Sequence, residues 1–376
     1  MVISTGNTLL VGPQCQRRAT SKGRSAQVPD EKAADRLIMG RAIELAATAR
    51  PVTSPNPWVG AIVVAANGQR FEGATAPPGG PHAEVVALAA AGSRAGGSSL
   101  YTTLEPCAHT GRTPPCVEVI VSAGVARVVV GIGDPDPLVS GRGVERLRRA
   151  GIKVEMGVEA EAVTSQLAPY LAHRRTGRPW VVLKLAATLD GRIAAPDGTS
   201  RWLTGPVARD DAHQLRAESD ALLVGAGTIR VDDPELTVRS GSAGQAARTD
   251  PQPLRVVLGR APAGARVHPA LEMEGDLGDV LDQLGAKGVV QLLVEGGARV
   301  AHDFHAAGLV NRYVVYLAPA LFGGNDAVAM FTGPGAPTVA DLWRGELLGL
   351  RRLGDDIRVD LAPGAPTGVP PAPGGP

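Results

Sequence analysis

Pro81-His82-Ala83-Glu84-Val85-Val86-Ala87-Leu88-Ala89-Ala90-Ala91, then Leu100-Tyr101-Thr102-Thr103-Leu104-Glu105-Pro106-Cys107 and Pro114-Pro115-Cys116, are the segments that set the fold of the N-terminal half. His82–Ala91 reads as a helix, and Pro81 at its entry sacrifices no helical hydrogen bond. Leu100–Leu104 reads as a short strand, followed by a loop and a second helix that begins near Cys116. His82 and Cys116 therefore both fall at helix starts. A helix N-terminus carries partial positive charge and favours thiolate over thiol. Zinc takes imidazole nitrogen and thiolate sulfur, and a catalytic site uses three protein ligands and leaves the fourth position to water. His82, Cys107 and Cys116 supply that set. Glu84, two residues past His82, can face the water without binding metal and carry its proton to a leaving amine. A closed structural zinc site is the other reading. It needs a fourth ligand at close spacing, and His109 is the candidate.

Upstream, Asp30 can cap a helix whose apolar face reads Ala34, Leu37, Ile38, Ala42 and Leu45. Val59–Ala65 reads as a buried strand. Downstream, Val128–Ile132 is a strand, Val144–Ala150 and Ile152–Met156 form a helix–strand unit, and Glu159–His173 is one helix. This alternation argues for an α/β layer with a largely parallel sheet. Arg174-Arg175-Thr176-Gly177-Arg178-Pro179 marks a domain boundary. A new strand starts at Trp180. Arg209–Glu218 is helical, Ala221–Val224 and Leu254–Leu258 are strands, and Val280–Leu284 is a helix. Val289–Val294 is a strand, Ala298–Ala307 a helix and Arg312–Leu317 a strand. The halves share no repeat, so the chain reads as two different α/β domains, 30–174 and 175–361.

Lys and Arg total 38 against 37 Asp and Glu, a formal charge of +1, and aromatic residues are 3% of the 376. That balance gives no footprint for a nucleic-acid backbone and no stacking platform for bases. No apolar run approaches the roughly 18–20 residues that span a bilayer. Small molecules are the expected partners, with neither nucleic acid nor membrane. Three cysteines are too few and too odd in number for a secreted disulfide framework, and Cys15 reads as an incidental thiol. Residues 1–29 contain Arg17, Arg18, Lys22 and Arg24 but no acidic residue. They read as a disordered extension in a cytoplasmic protein, with a plastid transit peptide as the alternative. The Pro/Gly-rich tail 362–376 is also expected to be disordered.

The general deaminase signature is H-x-E followed by P-C-x-x-C. Here eight residues, not two, separate the cysteines. With this longer loop, PCAHTGRTPPC, the chain resembles the bifunctional deaminase–reductases of riboflavin biosynthesis. Pro55-Asn56-Pro57, Asp134-Pro135-Asp136-Pro137, Gly141-Arg142-Gly143 and Arg175–Pro179 agree, and the resemblance spans roughly 31–361. It implies a cytidine-deaminase-like three-layer α/β/α domain followed by a dihydrofolate-reductase-like α/β domain. It implies zinc-activated water attacking C2 of 2,5-diamino-6-(5-phosphoribosylamino)pyrimidin-4-one and expelling ammonia. Asn56, His109 and Arg112 would then hold that substrate, Arg112 being suited to phosphate. One position departs: the family usually carries a substrate-contacting histidine seven residues before the HAE histidine, and here it is Thr75.

The second half resembles the family's reductase in LKLAATLDGRI from Leu183, SRWLT from Ser200, VGAGT from Val224, DDPELTVR from Asp232 and VEGG from Val294. A strand, two glycines and a helix can bring backbone N–H groups close to a phosphate, although this is not the G-x-G-x-x-G fingerprint. By resemblance, NADPH is held by Ala186, Trp202, Thr228 and Asp232 and by Gly297, Ala298, Arg299, Val300 and Ala301. The reductase substrate is held by Lys184, Ser200, Arg216, Leu236, Arg239 and Glu295, with Arg216 and Arg239 suited to a ribose phosphate. Lys184 and Asp232 are expected close to the reacting ribose, whose ring opens and is reduced to a ribityl chain. Lys184, in an apolar strand, needs a partner or ligand. The stretch 255–290 is shorter than the family usually shows, as if a strand were lost. The family commonly self-associates, so a homo-oligomer is expected. The competing function is a deaminase of another pyrimidine with a degenerate second domain.

Overall fold

The computed structural model describes residues 31–109, 114–240, 247–248 and 252–364. The expected disordered extension 1–29 with Cys15, the cap residue Asp30, the substrate candidate Arg112 and residues 365–376 lie outside them, whereas the start of the tail expected to be disordered from 362 is ordered, because the last strand runs Asp356–Pro363.

The first domain runs α1 (Glu31–Thr53), β1 (Gly60–Val64), β2 (Arg70–Ala74), α2 (Ala83–Ala91), β3 (Ser99–Leu104), α3 (Cys116–Ser122), β4 (Arg127–Ile132), α4 (Arg142–Arg149), β5 (Lys153–Met156), α5 (Ala160–Gln166) and α6 (Ala168–Thr176). Its five strands lie in the order β2-β1-β3-β4-β5. β3, β4 and β5 are parallel, but β1 is antiparallel to both β2 and β3. The sheet is mixed, not largely parallel, because β2 forms a hairpin with β1. β2 reads RFEGA with one fully buried residue, Gly73, so it carries little strand signal.

Side chains alternate across the sheet, as the period of a strand requires. Ala61, Val63, Leu100, Val128 and Val130 face α2 and α3, while Ile62, Tyr101 and Val129 face Ile38, Met39 and Ala42 of α1. Helices on both faces make three layers. The buried stripe of α1 differs from the expected one: Leu37 is 68% exposed, and Met39 and Ala46 take its place. The long helix expected over 159–173 is two helices that break at Leu167, one residue before the Ala168-Pro169 start of α6.

Thr176 ends α6, Gly177 adopts a left-handed φ of 74°, and β6 starts three residues later. The second domain continues β6 (Trp180–Thr188), β7 (Arg192–Ala194), α7 (Pro206–Ala217), β8 (Ala221–Gly225), α8 (Ala226–Asp232), β9 (Arg239–Ser240), β10 (Ala247–Arg248), β11 (Leu254–Leu258), β12 (Leu271–Met273), α9 (Leu277–Ala286), β13 (Gln291–Val294), α10 (Ala298–Ala306), β14 (Arg312–Ala318), β15 (Val328–Ala329), β16 (Gly345–Leu353) and β17 (Asp356–Pro363). Eight of these strands form one sheet, β12-β11-β8-β13-β6-β14-β17-β16, parallel as far as β14 and antiparallel after it. α9 and α10 cover one face and α7 and α8 the other. The short 255–290 stretch retains β11, a three-residue β12 and α9. The final hairpin β16–β17 was not foreseen. No described helix is long and apolar enough to cross a membrane.

Candidate active site

Two strand ends deliver the first site: β3 ends just before Glu105, and the helices that follow β2 and β3 begin at its edge. His82 is the N-cap of α2 and Cys116 the first residue of α3. His82 Nδ1 lies 3.2 Å from Cys116 Sγ and 3.6 Å from Cys107 Sγ, and the Cys116 backbone N–H donates to Cys107 Sγ at 3.3 Å. The three donor atoms lie within 4.8 Å of one another. Hydrogen bonds from Cys116 and then from His82 hold the Cys107 thiol well below its ordinary range. One imidazole and two close sulfurs, one already favoured as thiolate, are a donor set that fits zinc. His109 is not in this cluster among the described residues, so three protein ligands, not four, meet there.

Glu84, two residues past His82, is 4% exposed, and burial pushes its carboxyl up to about 7. A divalent cation alongside lowers it again. A carboxyl balanced near neutrality suits a group that must both take and give a proton.

These residues open onto a cavity of about 310 Å³. Asn56 and His109, the expected substrate contacts, line it, and His109 Nδ1 is buried without a protein partner. Thr75 lines it too, but its hydroxyl accepts from the Val59 N–H at 3.1 Å and donates to the Val59 carbonyl at 3.3 Å. The Thr75 hydroxyl is thus tied to the backbone of Val59, at the entry to β1. Sequence reading assigned no role to Asp134, Asp136, Tyr170 or Arg174, which form the remaining wall. The Tyr170 hydroxyl donates to Asp134, at 3.2 and 3.1 Å from its two carboxylate oxygens, and Arg174 lies over the Tyr170 ring. The Asp134-Pro135-Asp136 run was the signal available for the two aspartates. Glu105 was also unassigned. Its buried carboxylate accepts from the backbone N–H groups of Asp134, Gly141, Gly143 and Val144.

In the second domain the predicted residues fall into three joined sets. Arg216 makes a two-pronged ion pair with Glu295, at 2.7 and 2.6 Å, and donates to the Thr237 carbonyl at 3.2 Å. Arg239 reaches the Thr237 hydroxyl at 3.2 Å and pairs with Glu235, leaving its side chain 44% exposed. The Lys184 ammonium lies 5.9 Å from the centre of the Tyr316 ring; burial lowers its pKa, and the Glu295 charge opposes that. The Arg216 fork holds the Glu295 carboxyl down at about 2, against burial. Ser200 Oγ donates to Asp232 at 3.3 Å. Leu236 is buried with a left-handed φ of 49°. At α10, the Gly297 N–H donates to Thr228 Oγ1 at 3.1 Å, and no side chain caps the helix. A Cβ on Gly296 would come within 2.5 Å of Val300, so the backbone there is packed as only glycine allows. An uncapped N-terminus beside two glycines fits the phosphate of a dinucleotide. Trp202, 71% exposed, stacks on Arg209. Ala186 lies on β6 opposite Tyr316.

The model of the cytidine and deoxycytidylate deaminase zinc-binding region matches residues 32–132, and that of the RibD C-terminal domain matches 179–359. The riboflavin biosynthesis protein RibD of Escherichia coli is 38% identical over 363 residues, covering 87% of this chain and 99% of that protein. The Mycobacterium tuberculosis protein of the same name is 40% identical over 339 residues, 86% of this chain and 96% of its own. Among solved structures, RibD of Acinetobacter baumannii superposes with a TM-score of 0.81 at 38% identity, covering 89% of this chain and 100% of that one. A Thermotoga maritima diaminohydroxyphosphoribosylaminopyrimidine deaminase/5-amino-6-(5-phosphoribosylamino)uracil reductase gives 0.78 at 31%, covering 89% and 99%. Both domains, in this order and over nearly the full length of these relatives, place the chain in the RibD family of riboflavin biosynthesis proteins.

Proposed function

We propose that this chain carries out two successive steps of riboflavin biosynthesis, a deamination in the first domain and an NADPH-dependent reduction in the second. The observation that carries the reading is the meeting of His82, Cys107 and Cys116 within 4.8 Å, with the buried carboxyl of Glu84 beside them. His82, Cys107 and Cys116 hold zinc, which supplies an activated water at neutral pH. Glu84 would take a proton from the attacking water and pass it to the amine leaving C2 of 2,5-diamino-6-(5-phosphoribosylamino)pyrimidin-4-one. Asn56 and His109 orient the base inside the cavity, and Arg112 meets the phosphate.

NADPH supplies the hydride of the second step, and the protein's part is orientation. Thr228, Gly297 and the first turn of α10 (Ala298, Arg299, Val300, Ala301) hold its phosphates, with Ala186, Trp202 and Asp232 along its length. Ser200, Lys184, Leu236 and the Arg216–Glu295 pair hold the ribosyl chain, and the more exposed Arg239 meets its phosphate. The product is 5-amino-6-(5-phosphoribitylamino)uracil. The Arg216–Glu295 ion pair supports this over a deaminase with a degenerate second domain. Incubation with the diaminopyrimidinone phosphate and NADPH, with both products followed by mass, tests it. Gly297→Trp should abolish NADPH consumption while ammonia is still released. Release of ammonia from another pyrimidine but not from this one, with no NADPH consumed, would establish the competing function instead.

The partner of the whole chain, on this reading, is a second copy. β16 is one of the two outer strands of the large sheet among the described residues, and Leu347, Leu348 and Leu350 on it are 58%, 52% and 62% exposed. An apolar edge of that length is a template for another strand.

A further inference from the structure

The two domains meet at Arg50, in the last turn of α1. Its guanidinium donates to Gln291 Oε1 and stands 3.4 Å from Glu218 Oε2, both in the reductase domain. Gln291 is buried and its amide is fixed. Its Nε2 donates to the Glu218 carbonyl at 3.2 Å and to Ser219 Oγ at 3.0 Å, so Oε1 is the atom turned towards Arg50. Asp220 anchors the same strand start by accepting from the Val290 and Gln291 N–H groups at 2.8 Å each. The guanidinium carbon also lies 4.9 Å from the centre of the Trp58 ring. Trp58 is 3% exposed, within the deaminase core, and Val290 of the reductase domain packs into that same cluster. Directly before Trp58 comes Pro55-Asn56-Pro57, which lines the deaminase cavity.

A mostly buried cation between domains gives little net stability, because its desolvation offsets its ion pair. What it supplies is geometry. Only a planar fork can bond two acceptors while offering a face to an indole, so lysine cannot replace it. We infer that Arg50 is a positioning residue for the deaminase pocket, held in place by the reductase domain. Glu218 and Gln291 fix the fork, the fork fixes Trp58, and Trp58 fixes the turn that presents Asn56. The inference rests on the reading of Asn56 as a substrate contact.

The test uses the full zinc-loaded chain and the diaminopyrimidinone phosphate, following ammonia release. Arg50→Met should raise KM about tenfold, the size of one charge-assisted hydrogen bond, and leave kcat within about twofold. Arg50→Lys should behave likewise. Glu218→Gln should raise KM less, and add nothing when combined with Arg50→Met. Asn56→Ala is the separate arm. If Asn56→Ala raises KM while Arg50→Met and Glu218→Gln leave it unchanged, Arg50 does not position the pocket. If none of the three raises KM, the reading of the pocket fails and the inference with it. A fall in kcat alone at Arg50, the mark of a merely structural loss of active protein, also overturns it. Should Arg50→Met not fold, Glu218→Gln decides: an unchanged KM ends the inference.

Discussion

The Gly143 N–H donates to Glu105 Oε1 at 3.0 Å, and a Cβ on Gly143 would come within 2.0 Å of the Pro106 carbonyl. Glu105 and Gly143 thus clasp the start of α4 against the strand end that carries Cys107. The Glu105 carboxylate satisfies four backbone donors at once and so ties the loop that carries Cys107 to the segment from Asp134 to Val144. Glu105→Ala leaves those donors without an acceptor and should cost roughly 3 kcal/mol. Gly143→Ala forces backbone apart and should cost about as much. Both should weaken zinc by about 10–100-fold, as loss of an outer-shell partner does. Urea midpoints and competition with a chelator check this. Wild-type zinc affinity in a folded Glu105→Ala protein would refute the clasp.

Glu84→Gln preserves shape and removes the group that carries the proton. It should keep zinc and lower deamination about 10³-fold. Bound metal and ammonia release, measured on the same sample, separate the two effects. Deamination at the wild-type rate would assign the proton transfer to another residue.

The cluster of His82, Cys107 and Cys116 was legible because the three residues lie in two short motifs whose helix starts and strand ends the sequence already marks. The layers were legible for the same reason: Val128–Val130 and Leu292–Val294 are unbroken apolar runs of buried strands. What stayed hidden depends on distant partners. Nothing near Asp134 announces Tyr170, and nothing near Arg50 announces Gln291, 241 residues away. Leu37 looked like a core residue by spacing, yet the helix is rotated so that Met39 is buried instead. β2 was missed because RFEGA is mostly exposed and Gly73 takes the buried place. A Cβ there would meet the Ala83 carbonyl at 2.3 Å, so packing against α2 selects a residue that sequence propensity counts against a strand.

Asp134 gives the protein a pH dependence of its own. Burial pushes its carboxyl up to about 6, against the opposing hydrogen bonds of the Asp136 N–H and the Tyr170 hydroxyl. The folded state therefore holds a proton that the unfolded chain, titrating near 3.9, releases earlier. Its contribution to stability is fully present below pH 3.9 and is lost as pH rises through about 6, up to roughly 3 kcal/mol across that window. Asp134→Asn cannot ionise. The stability gap between Asp134→Asn and wild type, read from urea midpoints at pH 4.5 and 7, should widen in favour of the variant at the higher pH. A gap that does not change with pH would show that Asp134 titrates as an ordinary carboxylate.

β16 also specifies how a second copy would meet it. Antiparallel pairing of the strand with itself, about a two-fold between Leu348 and Gly349, sets Leu347 against Leu350 and Glu346 against Arg351. A shift of one residue sets Glu346 against Arg352, so opposite charges meet in either register. Such a contact is isologous and closes at two copies, whereas a like-charged edge would repel itself. The bulge between Leu347 and Gly349 bends the strand beside this axis, and the exposed Val339, Leu342 and Trp343 lie just upstream in the chain. Leu348→Glu with Leu350→Glu places like charges opposite each other in the shifted register and beside the axis in the other. The double variant should therefore halve the mass seen by light scattering, towards that of the 38.6 kDa chain. A wild-type chain that is monomeric at micromolar concentration would leave this edge unpaired. A double variant that keeps the doubled mass would move the interface elsewhere.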